Sequence, residues 1–597
     1  MVFSRTLTFG FVIFVMVSAA SHGALAQGTS ASPSASSSSS LAAERSELQR
    51  GQAAVARGDV TAARVAFEKA VKLNPSDAQA RTALGWVLWQ QGELDDAAAQ
   101  FRLAIKSKSG YVEARLNLAG VLSQQGKSEE AETEARTVVK SAPANAEGHR
   151  TLARILSQRG KLDEGLEEMR RAAEMAPARA DLIDDVGSIL GQQGKFSEAE
   201  GQFRRAIRLQ PGSEPAHFHL GAAEVQEQKW DEAAGELSKA LVLNPKDAGA
   251  HYYLAKSFTG QAKNADAVPE LRKAVELKPD WFEAQVDLGI ACQRIGDTDC
   301  SVGAFEGAMK LQPQNPEVYN DLGLALVQKG DAEAAVAKFR AAAQLRPEDA
   351  SFRGNLAIAF MQRADFDAAI SELESAIKIA PNNASLHYNL GLAYKLKDEP
   401  DKAVPEFQNA IALQPDLADA HYTLGVLYWQ KGDFDRAAEE LKKATAANSN
   451  YAEAHYTLGT VLKQQGKLQE AAEELREAIR LQPEFAGAHT TLAAVLRQSG
   501  DAAGAAEEAR AGAKIAATTN NLQAAAFATN SGKRLLGVGD LEGAIAQFRS
   551  AINSEEKYAA AHFQLGLALT QSGKKDEAGK EFSRAAELDP HLVAPGR

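Results

Sequence analysis

The apolar and small residues of this chain recur with a period of about 34 residues over most of its length. In one unit, Leu424 and Leu427 lie one helical turn apart, and Ala437, Leu441 and Ala444 follow at helical spacing. Small residues on the second helix allow close approach of its neighbour. The pattern therefore predicts one pair of helices in each unit.

Glycine and proline mark the ends of these predicted helices. A glycine such as Gly432 follows the first helix, where a left-handed backbone suits a C-cap. A proline stops the second helix. These prolines stand one period apart, or two periods where a serine takes the intervening position: Pro75, Pro143, Pro177, Pro211, Pro245, Pro279, Pro313, Pro347, Pro381, Pro415 and Pro483. Because one helix pair cannot bury its own apolar face, we expect the units to stack.

The repeat resembles the tetratricopeptide repeat (TPR) over residues 44–592. Sixteen units start at Glu44, at every further period as far as Ala486, and then at Asn520 and Ala559. The resemblance implies an all-α fold, a right-handed α-α superhelix (TPR solenoid) of antiparallel helix pairs. Its first helices would line a concave groove.

The period breaks once, in repeat 15, which carries five extra residues within 520–538 and Ser531 at an apolar position. Two interpretations stay open: repeats 15 and 16 form a semi-independent piece behind a weak joint near residues 518–523, or the extra residues form a tolerated loop. We predict repeats 1–14 over residues 44–519, repeats 15–16 over residues 520–592, and a tail over residues 593–597.

Residues 1–26 have the features of a secretory signal peptide. Arg5 precedes a short apolar run, and Ala24-Leu25-Ala26 forms a small-x-small cleavage site. The run is too short to span a bilayer, so we expect no transmembrane segment in the mature chain. Residues 27–43 are rich in serine and predict a flexible linker. The mature protein is expected to be exported, either periplasmic or secreted.

The charge of the chain narrows its partners. The sequence has 66 Lys and Arg against 78 Asp and Glu, a formal net charge of -12. Without a basic cluster, this charge argues against nucleic acid as a partner.

The two cysteines, Cys292 and Cys300, straddle the turn of repeat 8, and export would permit a disulfide between them. The alternative is two free thiols.

Eight of the 11 histidines share one position in the repeat: His149, His217, His251, His387, His421, His455, His489 and His562. Metal binding is not expected, because packed helices lie roughly 8–10 Å apart and zinc ligands lie about 2 Å from the ion. We also expect no acid or cysteine to recur beside them. By resemblance, this position usually holds a large aromatic ring, so we expect a packing role and neither metal nor cofactor.

The resemblance places one set of first-helix residues of repeats 11–14 on the groove. We call this set the groove strip; it comprises Tyr388, Lys395, Tyr422, Trp429, Tyr456, Lys463 and Arg497. Aromatic residues and arginine dominate binding hot spots, and an extended or helical segment with acidic residues would suit the strip. Trp86 and Trp89 of repeat 2 share a helix face and form a second candidate. The alternatives are packing tyrosines with solvated cations, and tryptophans packed in the core.

No catalytic motif stands apart from the repeat frame: we find no Ser/His/Asp set, HExxH or phosphate loop. We therefore expect no enzyme, but a protein–protein interaction scaffold outside the cytoplasm that binds proteins or peptides, for example in an envelope, secretion or polysaccharide-export assembly. Two alternatives stay open: a glycan-contacting subunit of an envelope polysaccharide system, and a non-catalytic subunit of a larger enzyme complex.

Overall fold

The computed structural model describes residues 35–592, and their side chains from residue 41 onward. The predicted signal peptide and the tail lie outside the described residues. The described residues form helices and no strand, in agreement with the predicted all-α solenoid. The first helix begins at Ala35, so the predicted linker is helical over residues 35–43.

The chain divides into two compact units, Met1–Lys329 and Gly330–Arg597. The division falls within repeat 9, which the sequence did not single out. The helices of the first unit are α1 (Ala35–Ala56), α2 (Val60–Leu73), α3 (Ala78–Gln90), α4 (Leu94–Ser107), α5 (Val112–Gln124), α6 (Ser128–Ser141), α7 (Ala146–Gln158), α8 (Leu162–Met175), α9 (Ala180–Gln192), α10 (Phe196–Leu209), α11 (Glu214–Gln226), α12 (Trp230–Leu243), α13 (Ala248–Gly260), α14 (Asn264–Leu277), α15 (Phe282–Arg294), α16 (Thr298–Leu311) and α17 (Pro316–Lys329).

The second unit continues the same arrangement of helix pairs. Its helices are α18 (Ala332–Leu345), α19 (Ala350–Gln362), α20 (Phe366–Ile379), α21 (Ala384–Leu396), α22 (Pro400–Leu413), α23 (Ala418–Gln430), α24 (Phe434–Ala447), α25 (Ala452–Gln464), α26 (Leu468–Leu481), α27 (Ala486–Ser499), α28 (Ala502–Gly537), α29 (Leu541–Ser554), α30 (Ala559–Gln571) and α31 (Lys575–Leu588).

The turn between paired helices follows from the predicted glycine. Gly432, between α23 and α24, has a φ of 80°, which a side chain would disfavour. The Asp433 carboxylate then accepts a hydrogen bond from the backbone N–H of Arg436 and caps α24. Glycine at this turn thus reverses the chain, and the next acidic residue starts the second helix.

Each helix pair packs a large residue of the second helix onto a small residue of the first. We number positions from the first residue of each repeat, so Gly187 is at position 8 and Phe203 at position 24 of repeat 5. A Cβ added to Gly187 would lie 2.5 Å from the Phe203 ring. Phe203 is fully buried. The alternation of glycine and bulky residue in the sequence therefore sets the spacing between the paired helices.

Within each unit, first helices of successive repeats also touch one another, as α3 touches α5 in the first unit and α25 touches α27 in the second. Successive second helices of the described chain make fewer such contacts. First helices therefore line the more tightly packed side of each unit, where the resemblance places the groove.

Repeat 15 differs from the loop interpretation, because α28 is a continuous 36-residue helix. It comprises the second helix of repeat 14, the five extra residues and the first helix of repeat 15. Ala517 stands one period after Pro483, at the position where proline would end the helix. The loop interpretation is wrong, because alanine lets the helix run through residues 518–523.

Candidate partner-binding surface

The groove strip lies on the first helices α21, α23, α25 and α27 of the second unit. Its three tyrosines, Trp429 and both lysines are half-buried, and Arg497 is exposed. Between them lie residues at position 9 that were not predicted from the sequence, of which Leu392, Val426 and Thr460 are half-buried as well. Their spacing, one helical turn from each tyrosine, could have indicated them.

The strip tyrosines each pack against another ring. The Tyr422 and Tyr451 ring centroids lie 5.0 Å apart, and those of Tyr456 and Phe485 lie 4.7 Å apart. Both pairs join one repeat to residues that precede the next first helix. Tyrosine at position 5 therefore contributes to stacking while leaving part of its ring accessible, so the packing interpretation and the binding interpretation are compatible.

The Trp429 indole is oriented by a glutamine of the following repeat. Its Nε1–H donates to Gln464 Oε1 at 2.7 Å. Trp89 and Gln124 repeat this bond at 2.6 Å. The glutamine holds one edge of each indole, and the Trp89 ring lies over Gly120 of the next repeat.

The strip cations lack acidic partners. In the described chain, no ion pair joins an acid to Lys395, Lys463 or Arg497, whereas neighbours such as Lys431 pair with Asp401 at 2.6 Å. Burial lowers the pKa of Lys395, and no acid counteracts this effect. A half-buried ammonium without a counter-charge favours an anionic group from outside the chain.

Repeats 4–6 show the opposite arrangement on their first helices, where the charged side chains stand at positions 5, 6 and 9. Arg150 Nε lies 2.7 Å from Asp185 Oδ2, and Arg154 Nη2 lies 3.1 Å from the same carboxylate. His219 Nδ1 lies 2.9 Å from Asp184 Oδ2. All five side chains are buried. The groove positions of these repeats are therefore filled by an internal ionic network, which the sequence analysis missed although its charges occupy groove positions of successive repeats.

The repeated histidine joins three segments of its repeat. Its Nδ1 lies 2.5–2.7 Å from a glutamate of the second helix, 19 residues later. Its Nε2 faces the carbonyl oxygen six residues earlier, as His421 faces Pro415. The expectation that no acid recurs beside the histidine is wrong, because the acid lies on the neighbouring helix. The glutamates are Glu168, Glu236, Glu270, Glu406, Glu440, Glu474, Glu508 and Glu581.

The tryptophan candidate of repeat 2 is corrected by the structure. Trp86 is 9% exposed and belongs to the core of the first repeats. Trp89 is half-buried and lies over Gly120, where an added Cβ would come within 2.6 Å of the ring. The two side chains therefore do not form one exposed face; Trp86 has the packed-core role.

Cys292 and Cys300 form a disulfide between α15 and α16, with Cα atoms 5.8 Å apart. Together with Asp297, they are the one cluster of metal-ligand residue types found in the described chain. Because the two sulfur atoms are bonded to each other, they are not available as thiolate ligands. Among residues 35–592, no helix has the length and apolar character needed to span a bilayer.

Sequence models of the tetratricopeptide repeat match most of the chain. One model matches residues 48–112, 187–248, 220–280, 286–350 and 529–592. Three others match residues 88–155 and 396–460, residues 359–398, and residues 452–485. A search of curated proteins finds no significant match.

Solved structures with similar helix repeats cover large parts of the chain at low identity. The Cut9–Hcn1 hetero-tetramer of APC/C is 15% identical over 77% of this chain and 98% of that chain, with a TM-score of 0.35. Yeast Tom70 is 16% identical over 72% and 96%, with a TM-score of 0.32. MamA from Desulfovibrio magneticus RS-1, residue 41 to the end, is 25% identical over 28% and 96%, with a TM-score of 0.27. At these TM-scores, the partners of those proteins carry no argument for this chain.

Proposed function

We propose a binding function on the premise that this chain belongs to the tetratricopeptide repeat family and is therefore a protein-interaction scaffold. It binds an acidic segment of a partner protein on the groove strip of repeats 11–14. The scaffold fold is generally non-catalytic, and we propose no enzymatic activity.

The observation that carries the proposal is the set of unpaired cations beside accessible rings. Lys395, Lys463 and Arg497 have no acidic partner in the described chain, although acids outnumber bases in the sequence. Carboxylates of a bound segment would supply the missing counter-charges. The tyrosines and Trp429 would supply apolar contact area of the kind found in hot spots.

The closed repeats 4–6 support the choice of segment. Arg150 and Arg154 there are neutralised by Asp185 and buried. A partner would have to disrupt this network to reach them, at the cost of leaving buried charges unpaired. The open strip requires no such disruption.

We further propose that the protein works outside the cytoplasm, in the periplasm or in the secreted fraction, within an envelope or export assembly. The signal-peptide features of residues 1–26 support this location. The Cys292–Cys300 disulfide also supports it, since disulfides persist in oxidising compartments. Nucleic acid is not proposed as a partner, given the net charge of -12.

The test is cross-linking of the protein in its native cells, followed by purification and mass spectrometry. One variant carries Lys395→Glu, Lys463→Glu and Arg497→Glu. The matched control carries Lys378→Glu, Arg476→Glu and Lys580→Glu, which reverse three exposed cations on second helices of the same unit. The strip variant should lose a partner that the native protein and the control retain.

Retention of the same partners by both variants would contradict the strip as the binding surface. The half-exposed aromatic rings also suggest a glycan-contacting role. A competition experiment with soluble glycans distinguishes this role from protein binding. Soluble envelope glycans should not displace the captured protein if the ligand is an acidic polypeptide.

A further inference from the structure

Consecutive repeats meet through a recurring set of positions in this chain. Position 3 of each repeat packs onto position 27 of the repeat before it, as Ala114 packs with Ala104 and Ala561 with Ala551. Position 21 of the earlier repeat is also covered, as at Ala472, which is 7% exposed. Exposure at positions 3 and 21 therefore reports whether a neighbouring repeat is in place, whereas position 27 is buried even in repeat 16, at Ala585.

The first helix of repeat 15 has no neighbour on this side. Counted with the five extra residues, its position 3 is Phe527, which is 73% exposed. The phenylalanine at position 3 of repeat 10, Phe352, is 5% exposed. Val538, at position 14 of repeat 15, is 80% exposed. In the other repeats from 2 to 16, the position 3 residue is buried.

The second helix of repeat 14 is exposed on the side where the next repeat packs in other repeats. Ala506 at position 21 and Ala513 at position 28 are exposed. Among the described repeats, only repeat 16 shares this exposure, at Gly579 and Ala586. Repeat 14 thus ends one stack of repeats, and repeat 15 begins another.

The residue sizes on the two sides of this joint also change together. Position 27 is alanine or valine in every other repeat but glycine in repeat 14, at Gly512. The large Phe527 would therefore meet the helix of repeat 14 where its position 27 residue is smallest. Gly512 itself is buried against α27, where an added Cβ would lie 3.0 Å from Thr490 Oγ1. The joint between repeats 3 and 4 shows the reverse exchange, in which Val138 meets Gly148: a Cβ on this glycine would lie 2.9 Å from Val138 Cγ1. Volume-conserving exchanges of this kind preserve packing.

The polar rim of the joint changes on both sides together. At many other joints, position 14 pairs with position 18 of the preceding repeat, as Lys431 pairs with Asp401. The joint between repeats 7 and 8 is an exception, since these positions hold Ile295 and Ala265. At the joint between repeats 14 and 15, these positions hold Val538 and Ala503. Both residues are apolar, so closing the joint would not place a charged side chain against an apolar one at these positions.

The two faces cannot meet within one chain, because both lie on α28. Gly512 and Phe527 are separated by 15 residues of continuous helix, which corresponds to about 22 Å. We propose that they meet between two copies of the protein, with repeats 15–16 of each copy stacked on repeat 14 of the other. The interface would be two-fold symmetric. It would contain two copies of the joint between repeats 14 and 15, each formed by one repeat from either chain.

The first test measures the mass of the full mature chain by light scattering and sedimentation equilibrium. The native protein should be a dimer at micromolar concentration. Phe527→Asp should weaken the dimer at least 10-fold without loss of helicity, because the side chain is exposed in a single copy. Val242→Asp is the control, since Val242 is 81% exposed on α12 and far from the joint in sequence. A native monomer, or equal dissociation of both variants, would overturn the proposal.

The second test locates the joint by cross-linking. The native cysteines are bonded to each other, so Ala513→Cys and Phe527→Cys each introduce one reactive thiol. The two single variants, one of them tagged, are mixed and treated with a thiol cross-linker much shorter than the about 21 Å between these residues on one helix. A product of one tagged and one untagged chain, joined through residues 513 and 527, is expected.

The absence of this product would overturn the exchange between copies. So would an internal link at monomer mass in a chain that carries both cysteines, because α28 would then break and its own repeat 15 would close the joint. Association of the native chain only with a different protein at Phe527 would likewise exclude a second copy as the occupant.

Discussion

His455 Nδ1 lies 2.6 Å from Oε2 of Glu474, and its Nε2 lies 3.3 Å from the carbonyl oxygen of Ser449. Both partners accept hydrogen bonds, so both ring nitrogens donate only when the imidazole is protonated. The hydrogen bond with Glu474 is the main cause of a raised His455 pKa, which burial opposes. The histidine is therefore a link between helices whose strength depends on pH.

We predict that this link stabilises the fold more at acidic than at alkaline pH. Because the pKa is higher in the folded state, the stabilisation is complete below the unfolded value of about 6.5 and is lost as pH rises through the folded value. NMR titration of the ring should show a pKa that falls in Glu474→Gln. An unchanged ring titration in that variant would contradict the role of the carboxylate.

Glu224 is predicted to have the opposite dependence on pH in repeat 6. Its side chain is buried, and burial raises its pKa to about 7 despite a contact with Arg204. Because the carboxyl ionises near pH 4.3 in unfolded chains, its contribution to stability falls as pH rises from about 4 to 7. When the pH is raised from 5 to 8, the free energy of unfolding of Glu224→Gln should therefore increase by about 1–3 kcal/mol relative to that of the native chain.

Urea unfolding at the two pH values measures this gain. Glu227→Gln is the matched control, because hydrogen bonds from Lys229 lower the pKa of the Glu227 carboxyl. The Glu227→Gln substitution should become more destabilising as pH rises from strongly acidic values, because the native Glu227 carboxylate then ionises and stabilises the fold. A gain of equal size in both variants would exclude burial of Glu224 as the cause.

Two glycines of repeat 5 should respond oppositely to alanine substitution. Gly187→Ala would place a Cβ 2.5 Å from the buried Phe203 ring, so we expect a loss of about 1–3 kcal/mol. Gly201 lies on α10 with open space around its Cβ direction, so Gly201→Ala should gain up to about 1 kcal/mol from helix propensity. Thermal unfolding of both variants checks the sign, and a stabilising Gly187→Ala would refute the packing described here.

The buried carboxylate of repeat 5 should matter far more than an exposed one. Asp185→Ala removes the acid that Arg150 and Arg154 share, and we expect a loss of about 3–5 kcal/mol. Glu130→Ala removes the partner of Arg102 in a pair that is more than half exposed, and should change stability by about 0.5 kcal/mol at most. Denaturant unfolding of the two variants gives the comparison; similar losses would mean that the network is accessible to water.

The helix pairs could be predicted from sequence because their determinants are local. Gly432 reverses the chain and Pro415 ends the preceding helix whatever lies around them. The absence of a proline at Ala517 permits the continuous α28 but does not by itself explain it, since helices end before Ser109 and Ser449 at the same position. Ala517 was visible in the sequence, but the five extra residues were interpreted as a loop or a joint.

The contacts across helices could not be predicted from one repeat read in isolation. Glu474 stands 19 residues after His455, and only the packing of α25 on α26 brings the two together. Burial of Trp86 likewise depends on how neighbouring first helices approach each other. The groove positions of the strip followed from the family resemblance, whereas the closure of repeats 4–6 required the three-dimensional positions of Arg150 and Asp185.

The most direct measurement of the central claim is photo-cross-linking from the groove strip in native cells. A photoreactive phenylalanine replaces Tyr422, and the same residue at Val242, exposed on a second helix of the first unit, serves as the control. We predict that Tyr422 forms an adduct with a partner segment rich in aspartate and glutamate, and that Val242 does not. Equal adducts from both positions, or a partner segment without acidic residues, would contradict the account.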